Sequence, residues 1–106
     1  MTFIVIPAID LLGGRCVRLH QGDYARETAY SDDPVAMAKE WVALGAQMLH
    51  VVDLDGARAG APDGLNKVAM AAICAAVDVP VEVSGGMRTA GAVADAVAYG
   101  ARRVQL

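Results

Sequence analysis

Short apolar runs that alternate with helix-like stretches constrain this chain more than any other feature. The runs are residues 3–9 (Phe-Ile-Val-Ile-Pro-Ala-Ile) before Asp10, residues 47–52 (Gln-Met-Leu-His-Val-Val) before Asp53, residues 79–83 (Val-Pro-Val-Glu-Val) before Ser84-Gly85-Gly86, and residues 103–106 (Arg-Val-Gln-Leu). Near-continuous β-branched runs bounded by Gly or Asp predict buried parallel strands. Between the first and second, Asp33-Pro34 reads as N-cap and first helical residue, Val35, Ala38, Trp41, Val42 and Leu44 form an apolar stripe, and Gly45 stops the helix. A second helix is predicted from about residue 65 to 77, with Val68, Ala72, Ile73 and Ala76 inward. Thr89 caps a third, in which Ala92, Val93, Ala96 and Val97 face inward before Gly100. The order β-α-β-α-β-α-β predicts an α/β fold with a parallel sheet and right-handed crossovers.

Residues 11–32 break the rhythm, being too long for an ordinary βα loop. Residues 16–19 (Cys-Val-Arg-Leu) read as a short extra strand after the Gly13-Gly14 turn, and residues 20–31 as a polar, mobile loop. The length of 106 residues suits a single domain over residues 1–106. Four parallel strands with three helices amount to half of an eight-stranded barrel, which needs about 250 residues. Such a half-barrel leaves edges and an inner face uncovered, so completion by oligomerisation is expected. The simplest closed form is a C2 dimer with the fourth strand of one copy beside the first strand of the other. An open, flavodoxin-like sheet is the other architecture that this pattern allows. The net charge of −3 and the absence of a Lys/Arg block argue against nucleic acid as a partner. Because no apolar run reaches the 18 or so residues of a membrane span, no membrane association is expected. The first residues lack a basic region ahead of an apolar stretch, and Cys16 and Cys74 have no metal or redox spacing. A cytoplasmic chain with reduced thiols is the expectation.

Asp10 ends the first strand, where a barrel carboxylate faces the substrate side; it is a candidate general base, or else a cap of the Gly13-Gly14 turn. Asp53 and Asp55, two apart in an extended segment, point the same way, either toward a site or into hydrogen bonds with loop backbone. Ser84, Gly85, Gly86 and Arg88 lie between the third strand and its helix. They read as a phosphate cradle built from backbone N–H groups and one cation, or as a tight turn leading to the Thr89 cap. Arg15 and Arg18 are candidates for a second anion contact or are solvated surface residues; His20 is a candidate substrate contact, and His50 reads as a packing residue. Trp41 and the methionines at helical spacing read as core. Neither cysteine has a base beside it in sequence, so no nucleophile is assigned, and no metal-ligand spacing appears.

Four segments in order, residues 6–19 (IPAIDLLGGRCVRL), 21–24 (QGDY), 50–57 (HVVDLDGA) and 84–88 (SGGMR), closely resemble the isomerase family of histidine biosynthesis. The resemblance covers essentially the whole chain and the amino-terminal half of the family's barrel. It implies an Amadori rearrangement of phosphoribosylformimino-aminoimidazole carboxamide ribotide, an aminoaldose becoming an aminoketose without metal or redox cofactor. It also implies a pair of catalytic aspartates, the first matched by Asp10 and the second on a fifth strand, and a substrate held by two phosphates, one by the cradle that Gly85, Gly86 and Arg88 match in part. Arg18, Asp53 and Ser84 complete the expected substrate- and phosphate-binding set. In a C2 dimer the partner's Asp10 would stand at the fifth-strand position. The alternative is an inactive phosphate-binding or scaffold half-barrel that needs a complementary second half.

Overall fold

A computed structural model of the chain describes residues 4, 6–20 and 23–106, with the backbone alone for residues 19, 20 and 23–30. The predicted strands form where expected, and the first three start later than their apolar runs. They are β1 (Ala8–Leu12), β4 (Leu49–Asp53), β5 (Val81–Ser84) and β6 (Arg103–Gln105), all mutually parallel. Proline explains two of the late starts, since it has no N–H to give a ladder. Pro7 and Pro80 instead contribute carbonyls, accepting from His50 N at 3.0 Å and Leu49 N at 3.1 Å. The part of the first run at residues 3 and 5 lies outside the described residues.

Among the described residues the sheet has six strands, in the order β3-β2-β1-β4-β5-β6, and not four. The extra strand read at residues 16–19 is β2 (Arg15–His20). The segment read as a mobile loop is largely β3 (Asp23–Ser31), so β1, β2 and β3 are paired antiparallel in turn on the β1 side of the sheet. β2 pairs with β1 from Asp10 to Leu12. The outer edge of β1 is therefore occupied over those residues, where a dimer of half-barrels would set a partner strand.

The helices number four among the described residues, and not three. Asp33 caps α1 (Pro34–Ala43) by accepting from Ala36 N at 3.0 Å, with Pro34 in the first turn. The unforeseen α2 (Leu54–Ala59) follows β4 directly. Next come α3 (Gly64–Ala76), capped by Asp63, and α4 (Ala90–Ala98), capped by Thr89 through Ala92 N at 3.1 Å. The expected inner faces need correction. Leu44 caps the end of α1 and is exposed, and α3 buries Asn66, Met70 and Ile73 while Val68 is 70% exposed. Val97 of α4 is also exposed, and Ala96 carries the packing.

Strand alternation divides the sheet into two faces. Ile9 and Leu11, Leu49 and Val51, and Val81 and Val83 are buried and join Ala38, Met70, Ile73 and Ala96 in the core. The intervening Asp10, His50, Val52, Glu82 and Ser84 are only partly buried and lie on the opposite face.

Candidate active site

Parallel register sets a polar row on that opposite face. Ala8 lies opposite His50, Asp10 opposite Val52, His50 opposite Glu82, and Glu82 opposite Arg103. Partial burial raises the Asp10 carboxyl above its usual 3.8, and the nearby His50 works in the other direction. His50 Nδ1 lies 2.6 Å from Glu82 Oε1, within ion-pair distance, although the ring N–H direction does not align with that oxygen as a hydrogen bond. Arg103 Nε stands 3.8 Å from Glu82 Oε2. Strand alternation was the signal for His50, because it falls between the buried Leu49 and Val51.

The turn-capping alternative for Asp10 does not hold. Gly13 N donates to Asp55 Oδ2 at 2.7 Å and Gly14 N to Asn66 Oδ1 at 2.7 Å, so two other side chains hold that turn. Asp10 instead lines an open cavity of about 470 Å³ with Arg18, Ala8, Val17, Met37 and Trp41. Two of the predicted residues, an acid and a cation, thus share one cavity. Trp41, read as core, is 37% exposed at its wall.

Asp53 needs a different reading. It is fully buried, and its carboxylate accepts from Gly56 N at 2.7 Å, Asp63 N at 2.7 Å and Asn66 Nδ2 at 2.8 Å. A carboxylate with these three donors caps α2 and ties it to α3, and it does not present itself to a substrate. Asp55 likewise takes Gly13 N and Asn66 Nδ2, so the loop-backbone alternative describes this pair. Asn66, which the sequence reading missed, is the fully buried hub: it donates to Asp53, Asp55 and Leu11 O and accepts from Gly14 N. A buried amide this well satisfied locks the segments it joins.

Ser84 ends β5, and Gly85 and Gly86 follow with φ of +107° and +73°. A Cβ on Gly85 would collide with the Asp53 carbonyl, and one on Gly86 would lie 2.6 Å from the Ala61 carbonyl carbon. Close packing onto the β4–α2 segment therefore explains both glycines. Arg88 is exposed, its N–H donates to Gly86 O at 2.9 Å, and its guanidinium runs past Gly60. Arg88 also lines an open groove of about 640 Å³ with Met87, Thr89, Val93 and Leu106. The Ser84–Arg88 segment and the Asp10–Arg18 cavity are separate clusters, and Asp53 lies beneath the loops without lining either.

The side chain of His20 lies outside the described residues, as do Gln21 and Gly22. Burial, with Asp33 adding to it, pushes the Cys16 thiol up to about 11, so it is not a thiolate near neutrality. Among the described residues no group of three or more His, Cys, Asp or Glu is arranged to hold a metal ion, and no helix is long and apolar enough to cross a membrane.

The family described as Histidine biosynthesis protein matches residues 4–106. A 1-(5-phosphoribosyl)-5-((5-phosphoribosylamino)methylideneamino) imidazole-4-carboxamide isomerase of Brevibacillus brevis is 53% identical over 104 residues, 98% of this chain and 41% of that protein. Isomerases of the same name from Roseiflexus sp. and Synechococcus sp. are 55% and 56% identical over 102 residues, covering 96% of this chain and 42% and 39% of those proteins. The chain spans about two-fifths of the length of the curated relatives it matches.

Proposed function

Because the chain belongs to the histidine biosynthesis family, we propose that it carries the first part of an aldose–ketose isomerase site for a bis-phosphorylated ribotide. One observation carries this reading: Asp10 sits on the sheet face opposite the helical core, its carboxyl raised by partial burial, on a cavity it shares with Arg18. An Amadori rearrangement needs a group that returns and removes protons on neighbouring atoms, and a carboxyl whose pKa is shifted upward is suited to that exchange. Arg18 would hold one anionic end of the substrate. Ser84, Gly85, Gly86 and Arg88 would hold the other, through backbone N–H groups and the exposed guanidinium. In this scheme Asp53 acts indirectly, by fixing the loop beneath the cradle.

A second carboxylate would come from a partner copy, in a half-barrel completed by oligomerisation, or from sequence beyond residue 106. In the partner-copy form, the new strand would pair with β1 ahead of Asp10, because β2 occupies the edge beyond it. A second reading is a phosphate-binding half that turns over only with a complementary half, supported by the separation of the Ser84–Arg88 segment from the Asp10 cavity. Two free cysteines and a catalytic scheme without cofactor fit a cytoplasmic setting. Turnover of the ribotide by the purified chain, with Asp10→Asn as control, tests the first reading. Activity that falls by about 10²-fold or more in the variant supports it. Binding of inorganic phosphate that is lost in Arg88→Ala, with no turnover in the parent chain, supports the second.

A further inference from the structure

The polar row holds three side chains that the scheme above does not use, and Glu82 is the central one. Glu82 stands on β5 between His50 of β4 and Arg103 of β6, in register with both. Its two oxygens face in different directions: Oε1 lies 2.6 Å from His50 Nδ1, and Oε2 lies 3.8 Å from Arg103 Nε. His50 Nδ1 is buried and has no aligned hydrogen-bond partner among the described residues. A buried ring nitrogen is costly to leave unpaired, and the terminal torsion of a glutamate is soft, so a small rotation brings Oε1 into line. Asp10 of β1 lies on the same face, and His50 acts on its carboxyl electrostatically.

We propose that Glu82 is a positioning residue: anchored by Arg103, its carboxylate keeps the proton of neutral His50 on Nδ1 and leaves Nε2 as a lone-pair acceptor on the face that carries Asp10. The two ring nitrogens of histidine are chemically distinct, and the partner of one sets the state of the other. An acceptor nitrogen beside a carboxyl suits a reaction that moves protons between adjacent substrate atoms. Only that catalytic consequence rests on the isomerase reading; the assignment of the proton does not.

The test is ¹⁵N NMR of the imidazole nitrogens at about pH 8.5, where an ordinary histidine is neutral. In the parent chain, the expected spectrum has Nδ1 protonated and Nε2 bare; a bare Nδ1 overturns the proposal outright. Glu82→Met keeps the volume and removes the acceptor, so the two tautomers should mix, whereas Glu82→Gln, which retains an acceptor oxygen, should restore the parent pattern. An unchanged tautomer in Glu82→Met also overturns it. With substrate, Glu82→Met should lower kcat about tenfold at nearly constant KM. A parent chain without turnover but with Nδ1 protonated, and mixed tautomers in Glu82→Met, would sink the isomerase reading and leave this assignment standing.

Discussion

Asp10 and Asp53 are both strand aspartates, but β1 runs two residues past Asp10 to Leu12 whereas Asp53 is the last residue of β4, and their surroundings give them opposite duties. Asp53 is fully buried and receives three donated hydrogen bonds, whereas Asp10 is partly buried, is given no such donors among the described residues, and has its carboxyl pushed upward. A raised folded-state pKa means that the native chain holds this proton more tightly than the unfolded chain does. Stability therefore declines as pH rises from about 3.8 through the folded value, and an uncharged replacement escapes that decline. Asp10→Asn should accordingly melt at a higher temperature than the parent near pH 7 and show no such gain near pH 3, in thermal scans of the two proteins. The reverse holds at the hub. Asn66→Ala removes one side chain, strands the Gly14 N–H and takes one donor each from the Asp53 and Asp55 carboxylates, so it should cost roughly 3 kcal/mol in urea unfolding.

At the scale of elements, the β5–α4 turn depends on glycine for room more than for anion binding. Gly85→Ala would drive a methyl group into the Asp53 carbonyl at a φ of +107°, and a loss of at least about 2 kcal/mol should appear in its unfolding midpoint. The four parallel strands and the helices α1, α3 and α4 were legible because each carries a local signal, a β-branched run or a capping side chain, that acts before any tertiary contact. The six-residue α2 gives no such signal: Asp55, Gly56 and Arg58 leave no apolar stripe, and its cap is a residue that the pattern assigns to the preceding strand. β3 was hidden by its polarity, although Tyr24, Thr28 and Tyr30 fall at alternate positions and offered the period of a strand. The rotation of α3 was not legible either, because the residue that fixes it, Asn66, is polar and a hydrophobic stripe cannot count it. Within the candidate site, the placement of Asp10 on the first strand could be read from the strand order, although β1 does not end there but continues to Leu12, while the structural role of Asp53 became visible only with α2 in place.

Across the whole molecule, the sheet is best supported at its centre. β4 is paired in register on both sides, by β1 and β5, while β6 is paired by β5 among the described residues. Amide hydrogen exchange should therefore be slowest in Leu49–Asp53 and much faster in Arg103–Gln105, with the difference lost only under conditions of global unfolding. The loops above the carboxyl ends of β1, β4 and β5 do not stand independently over this sheet. Asn66 holds the first, Asp53 and Asp55 belong to the second, and Gly85 and Gly86 of the third rest on the second. Their inheritance follows from that joinery. Recombination that exchanges one of these loops with a relative would separate partners shaped to each other, whereas transfer of the three together with the start of α3 would carry the fittings along. They form a single cassette, and substrate preference in this scaffold would be re-engineered by replacing the set.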